Sequence, residues 1–295
     1  MHGRYSMFEI IGQGRSGVVR RGWDHVFQRA AAVKAMADSP EARLEARLLG
    51  SLSHPNIGQF YDVMVDKGVL YLVMELGAGG TVRDRRLSLS DLIQIAREAG
   101  AALQYLHEMG LVHCDVKPSH LMYGQGGSVQ LIDLGAAAVA GGPARGGTAH
   151  YMAPELKREP AAHPRLDVFG LGRTLLALAR ENGIKLPKGL RRVLHTAAAA
   201  QPERRYQSIA EFLTALEACL TPTGREIATR VNFLWAGVGA VAALVALVLG
   251  SRHGVYPPVF TLGIGPGVVA LCALYSPLLA LVALAVAALP FLAVI

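Results

Sequence analysis

From Val231 to Ile295 the sequence contains no aspartate or glutamate and a single Lys or Arg, Arg252. An acid-free stretch of that length excludes one globular domain of even composition. The chain divides into a charged part of ordinary make-up and an apolar tail. Cysteine is scarce too. Cys114, Cys219 and Cys272 are far apart and no Cys-x-x-Cys pair occurs. That excludes a disulfide framework or a zinc knuckle and fits a reducing compartment. The opening residues, MHGRYSMFEI, lack the apolar core of a secretory signal, so the charged part is expected in the cytosol. Short arginine clusters such as Arg83, Arg85 and Arg86 carry no interleaved aromatics and no DNA-binding motif, so no nucleic-acid partner is expected. The net charge of +7 belongs almost wholly to the first part. It reads as solubility charge, although a basic surface beside a bilayer would be drawn to anionic headgroups.

The first 220 or so of the 295 residues are enough to bury a full core. Tyr5 to Met36 reads as short strands around a glycine-rich turn. Ser39-Pro40 predicts a helix start, serine as N-cap and proline at the first helical position. Leu44, Leu48 and Leu52, four apart, predict its buried stripe. Val69 to Leu76 predicts a strand. Leu89 to Met109 predicts a long helix with Leu92, Ile95, Ala99, Leu103 and Leu106 inward, Ser90-Asp91 at its start and Gly110 at its end. Two short strands follow, near Leu121 to Tyr123 and Val129 to Ile132. Residues 135–150 are too weakly patterned for any element. Helical patterns return over Leu166 to Glu181, Leu190 to Ala200 and Ile209 to Leu220. Strands first and helices later predict an α+β chain with two lobes.

Residues 12–19, GQGRSGVV, place Gly12, Gly14 and Gly17 in a Gly-x-Gly-x-x-Gly-x-Val turn, where the backbone can approach phosphates without a Cβ clash. A strand follows rather than a helix, which argues against a dinucleotide fold. Ala32-Val33-Lys34 puts a lysine on the next strand. Residues 113–120 read HCDVKPSH, residues 133–135 Asp-Leu-Gly and residues 153–155 Ala-Pro-Glu. In this order and spacing, over roughly Tyr5 to Leu220, the blocks resemble the eukaryotic-like serine/threonine protein kinase family.

The resemblance implies a bilobal kinase fold with a small β-rich N-lobe and a helical C-lobe. Gly12, Gly14 and Gly17 would cover the ATP phosphates, with Ile11 and Val19 beside them. Lys34 would hold the α- and β-phosphates and pair with Glu45. Met74 would be the gatekeeper, and Glu75 to Gly77 the hinge that receives adenine. Asp115 would accept or orient the proton of the substrate hydroxyl, and Lys117 would neutralise the transferring phosphate. Asp133 would bind magnesium. Glu155 would pair with Arg205, and Asp167 would brace the catalytic loop. The Asp-x-Lys-Pro pattern and Gly147-Thr148 resemble kinases acting on Ser/Thr hydroxyls of protein substrates.

Three departures from the family pattern matter. His120 stands where the family has asparagine as second metal ligand. Imidazole suits manganese better than magnesium. Three readings stay open: one well-held metal and a lower rate, a manganese preference, or a nucleotide-binding pseudokinase. Cys114 replaces the arginine that receives an activation-loop phosphate, and Thr148 and Tyr151 are the only hydroxyls between Gly135 and Ala153. Independence from activation-loop phosphorylation is therefore expected. The link from Glu181 to Leu190 is short for the family, so a helix that docks substrates is expected to be reduced or absent.

In the tail, residues 231–249 form a charge-free run, apolar but for Asn232 near its start, that at ~1.5 Å per residue spans nearly 30 Å, the thickness of a bilayer core. Ser276-Pro277 predicts a break between further spans at 259–275 and 278–295, so two or three transmembrane helices are expected; one long tilted span in that region is the alternative. Arg225 and Arg230 precede the first span, which with the need for ATP sets the kinase on the cytoplasmic side of an inner membrane. Small residues around Gly263, Gly265 and Gly267 would permit helix packing and homo-oligomers. The expected organisation is a kinase domain over 1–220, a juxtamembrane linker over 221–230 and the tail over 231–295.

Overall fold

Five antiparallel strands open the chain: β1 (Tyr5–Gly14), β2 (Gly17–Asp24), β3 (Arg29–Ala37), β4 (Phe60–Asp66) and β5 (Val69–Glu75). They form one sheet in the order β1-β2-β3-β5-β4. The computed structural model describes residues 3–14, 17–77, 79–144 and 146–221. The first of the chain's two units ends at Leu220. The spans predicted at 231–249, 259–275 and 278–295, and the linker after Thr221, lie outside the described residues. Among the described residues no helix is long and apolar enough to cross a membrane.

Between β3 and β4 lies α1 (Pro40–Ser51), capped as expected: the Ser39 hydroxyl accepts from the Ala42 amide and Pro40 opens the helix. Its inward face differs from the predicted one. Ala42, Glu45, Ala46 and Leu49 are buried, while Leu44 is 42% exposed and Leu48 and Leu52 are half-buried. The helix is turned so that Glu45 reaches β3, and the small Ala42 and Ala46 permit the close approach that the leucines would block. Strand β4 was not anticipated. It is the sheet's edge, with Val63 and Val65 exposed on one face.

The larger lobe is built on α2 (Leu89–Glu108), in which Leu92, Ile95, Ala99, Leu103 and Leu106 are all buried. The N-cap is Ser88 rather than the Ser90-Asp91 pair. Ser88 accepts from the Asp91 amide, and the Asp91 carboxylate accepts from the Ser88 amide, closing a capping box. Gly110 ends the helix with φ of 73°. β6 (Leu111–Val112), β7 (Leu121–Tyr123), β8 (Val129–Leu131) and β9 (Ala138–Val139) make two small ribbons, β6 with β9 and β7 with β8. β9 falls in the segment expected to hold no element. Two residues pairing with a distant strand leave no periodicity to detect. α3 (Pro164–Glu181), α4 (Lys188–Ala197) and α5 (Ile209–Leu220) complete the lobe. The link from α3 to α4 holds no helix, as the short Glu181 to Leu190 spacing predicted. The predicted start of α3 was two residues late, because His163 caps it and Pro164 opens it.

Candidate active site

Lys34 sits on β3 and is almost fully buried. Its Nζ donates to Glu45 Oε1 at 2.8 Å and to Asp133 Oδ1 at 2.9 Å. Three elements distant in sequence thus meet on one ammonium. Burial alone would discharge this lysine. Asp133, then Glu45, outweigh that cost and raise its pKa. Burial pushes Glu45 upward while Lys34 pulls it back. Asp133 is held well below the usual carboxylate range: burial opposes this, but the charge of Lys34 and bonds from Lys34 and the Gly135 amide prevail.

The catalytic loop follows β6. Asp115 Oδ2 accepts from Lys117 Nζ at 2.7 Å, and Oδ1 accepts from the Thr148 amide at 2.7 Å. Lys117 also donates to the Thr148 hydroxyl at 2.8 Å. The Asp115 pKa is lowered: burial acts against ionisation, and Lys117 first and Thr148 next overcome it. Beneath the loop, Asp167 Oδ2 and Oδ1 accept from the amides of His113 and Cys114, each at 2.8 Å. His107 Nε2 lies 2.8 Å from the same carboxylate. These bonds hold Cys114 at φ 65°, a left-handed conformation uncommon for a residue with a Cβ. Asp133 is left-handed as well, at φ 63°. Thr174 on α3 donates to the Val116 carbonyl at 3.2 Å and fixes the loop from below. Cys114 is buried, and burial raises its thiol pKa far above the ordinary value, so it fills space rather than reacts.

His120 lies between the two carboxylates. Its Nδ1 is 3.0 Å from the Asp115 carbonyl oxygen, which can only accept, so Nδ1 carries the proton. Burial lowers the ring's pKa to about 4, so it is neutral at physiological pH and Nε2 presents a lone pair. That lone pair faces Asp133 Oδ2 at 3.3 Å. Two acceptors aimed at each other are the donor set of a cation, and one imidazole nitrogen with one carboxylate oxygen suits a borderline ion better than a strictly oxygen-seeking one. Among the described residues no third His, Cys, Asp or Glu joins them, so phosphate and water would complete the shell.

The neutral ring has a pH consequence. The folded pKa of about 4 lies below the ordinary 6.5. As pH falls through that window, the unfolded chain takes up a proton that the metal-free folded chain refuses. Stability present above 6.5 is then lost, on the order of 2–3 kcal/mol by pH 4. Urea midpoints measured across this range in EDTA should fall more steeply for the parent than for His120→Asn.

The residues expected to face nucleotide sit on the β1–β2 hairpin, with Gly12 opposite Val19 and Gly14 opposite Gly17. Val19 in turn pairs with Lys34. Ile11 is 47% exposed, an apolar surface open to a ligand. Gly17 is required for a reason beyond phosphate access: at φ 131° a Cβ there would collide with the Ala35 carbonyl of β3. Met74 pairs with Ala32 across β3 and β5. At the hinge, Glu75 is held by Gln130 Nε2 at 2.9 Å, and Gly77 leaves room for the thioether end of Met122. Met122 was missed from the sequence. It lies on β7 beneath the hinge, and no local motif announces it.

Glu155 and Arg205 form the expected pair, with NH1 and NH2 donating to Oε1 and Oε2 at 2.6 and 2.7 Å. Residues 5–215 match the family model of the protein kinase domain. The chain belongs to the protein kinase family. Among this kinase's relatives, the serine/threonine-protein kinase PknA of Mycobacterium tuberculosis is 36% identical over 196 residues, 58% of this chain and 46% of PknA. RUNKEL, a serine/threonine-protein kinase of Arabidopsis thaliana, is 32% identical over 183 residues, 57% of this chain and 13% of RUNKEL. A probable serine/threonine-protein kinase of Streptomyces coelicolor, SCO3848, is 28% identical over 306 aligned positions, 86% of this chain and 43% of that protein. This kinase therefore spans less than half the length of these curated relatives.

Proposed function

We propose that this kinase transfers the γ-phosphoryl group of ATP to serine or threonine hydroxyls of protein substrates while anchored to the cytoplasmic face of a cell membrane. The observation that carries the catalytic reading is the assembled Lys34–Glu45–Asp133 cluster, with bonds of 2.8 and 2.9 Å. In phosphoryl transfer the protein's task is positioning and charge neutralisation. Lys34 would hold the non-transferring phosphates, with Glu45 fixing its ammonium. Gly12, Gly14 and Gly17, with Ile11 and Val19, would cover the nucleotide, and Glu75 to Gly77 would receive adenine. Asp115 would orient the acceptor hydroxyl and take its proton. Lys117, already between Asp115 and Thr148, would offset the charge of the group in flight. Asp133 and His120 would hold a divalent cation, magnesium or manganese, which when bound neutralises phosphate charge. The anchoring reading rests on the uncharged run from Val231 and on the uncharged stretch after His253. An anchored chain of this kind could self-associate through its tail.

His120 supplies both the second reading and the test. If the imidazole spoils the cation site, the protein binds nucleotide without turnover and serves as a scaffold. Transfer from labelled ATP to Ser/Thr peptides should be detected with either metal and be faster with manganese. His120→Asn should shift the preference toward magnesium, by roughly tenfold, the lower end of what changes around a metal typically cost. ATP binding with no transfer in either metal, for parent and variant alike, would leave only the scaffold.

A further inference from the structure

We infer that the outward face of α4 is a binding surface for anionic lipid headgroups. This inference rests on the membrane-anchored reading above. α4 is strongly two-sided. Leu190, Val193, Leu194 and Ala197 are buried, while Lys188, Arg191, Arg192 and His195 are exposed. At 3.6 residues per turn, those four fall within an arc of about 100°. Lys185, exposed on the link before the helix, extends the patch. No acid occurs between Glu181 and Glu203.

Some exposed arginines elsewhere are held by acids, although others, such as Arg47, Arg158 and Arg173, have no ion pair among the described residues either. Arg43 pairs with Asp38, Arg83 with Glu181 and Arg97 with Glu217, at 2.7, 3.0 and 2.6 Å. Among the described residues none of the cations on α4 enters an ion pair. Arg191 bonds only the Leu186 carbonyl, at 3.2 Å. Helix stability does not explain all of them: the dipole favours only His195, in the last turn. Lys188 occupies the first turn, where the helix dipole disfavours a cation, and no acidic residue balances it there.

The position of the face points to the partner. A Cβ placed on Gly189 would lie 3.3 Å from Cys219 Cβ, so the last turn of α5 packs on the first turn of α4. α5 ends at Leu220, and the uncharged run begins at Val231 in the sequence. The last described turn of the domain thus packs on the helix that carries the cations, and the apolar run begins eleven residues further along the sequence. A bilayer leaflet with anionic lipids is the surface whose charge complements them there.

The test uses the full chain in nanodiscs of neutral phosphatidylcholine, or of phosphatidylcholine with phosphatidylglycerol. Acylation of surface lysines by an amine-reactive ester is followed by mass spectrometry. Lys185 and Lys188 should react several-fold more slowly in the anionic discs, with Lys67, exposed at the β4–β5 turn, unchanged. The protection should vanish in high salt, where screening shortens the reach of charge to a few ångströms (~3 Å at 1 M). Arg191→Glu with Arg192→Glu should abolish it without altering transfer to a soluble peptide. Equal reactivity in both discs overturns the inference and leaves anchoring intact. A chain that enters neither disc overturns both. Protection by a soluble acidic peptide in neutral discs, with none from phosphatidylglycerol, reassigns the face to a protein partner.

Discussion

Replacing Asp115 by asparagine should lower kcat for peptide phosphorylation by about 10²–10⁴-fold, the range a positioned proton acceptor contributes, and leave the dissociation constant for ATP nearly unchanged. The asymmetry follows from geometry. Asp115 is bonded to Lys117 and Thr148, on the acceptor side of the site, and has no bond to Lys34. Asparagine keeps the shape and a carbonyl that can accept from Lys117 or Thr148, but its amide is no base. Lys34→Met should differ. It strands Glu45 and Asp133 around a missing ammonium, so nucleotide affinity and folding stability should fall together. Steady-state kinetics with calorimetric ATP titration separates the two. A protein whose residual transfer ignored Asp115→Asn would owe that signal to a contaminant.

Arg205→Ala should cost about 3–5 kcal/mol of folding stability, the usual consequence of removing one partner of a buried pair. The Arg205 side chain is fully enclosed and makes more than the fork to Glu155. Its Nε donates to the Ala199 carbonyl at 2.6 Å, and its other nitrogens reach the carbonyls of Ala200 and Arg165 at 3.0 and 3.3 Å. The guanidinium also lies 4.6 Å from the centre of the Phe169 ring. Alanine orphans three carbonyls and a carboxylate at once. In a domain of this size the loss corresponds to a Tm lower by roughly 10 °C, readable by thermal melts in detergent. Arg205→Lys should recover only part of it, because an ammonium cannot make the two parallel bonds. A melt unchanged by Arg205→Ala would mean that the pair is dispensable.

The chemistry was legible in the sequence because phosphoryl transfer demands particular residue types in short blocks. Lys34, Asp115, Lys117 and Asp133 could each be read from a handful of neighbours, and the structure joins them in two bonded clusters, Lys34 with Asp133 and Asp115 with Lys117. Packing was less legible. In α1 two stripes of equal period compete, and the leucines are the more apolar. The winner is set by Glu45, whose partner lies on another strand. At the start of α2 two serines alternate, Ser88 and Ser90, and only Ser88 has an acid three residues on, which is the capping-box spacing. Strand β4, FYDVMVD, carries β-branched and aromatic residues and follows the turn residues Pro55, Asn56 and Gly58, so its signal was present in the sequence and was not read. Met122 and the tautomer of His120 were out of reach altogether. The first is defined by a glycine on the hinge and the second by a backbone carbonyl.

The Thr148 amide donates to Asp115 and its hydroxyl accepts from Lys117, and the residue before Asp115 is a buried, uncharged cysteine. That segment is thus already bonded to the loop that carries Asp115. On the proposed reading, activity would not wait for a phosphate there and would instead follow the amount of protein and its access to acceptor hydroxyls.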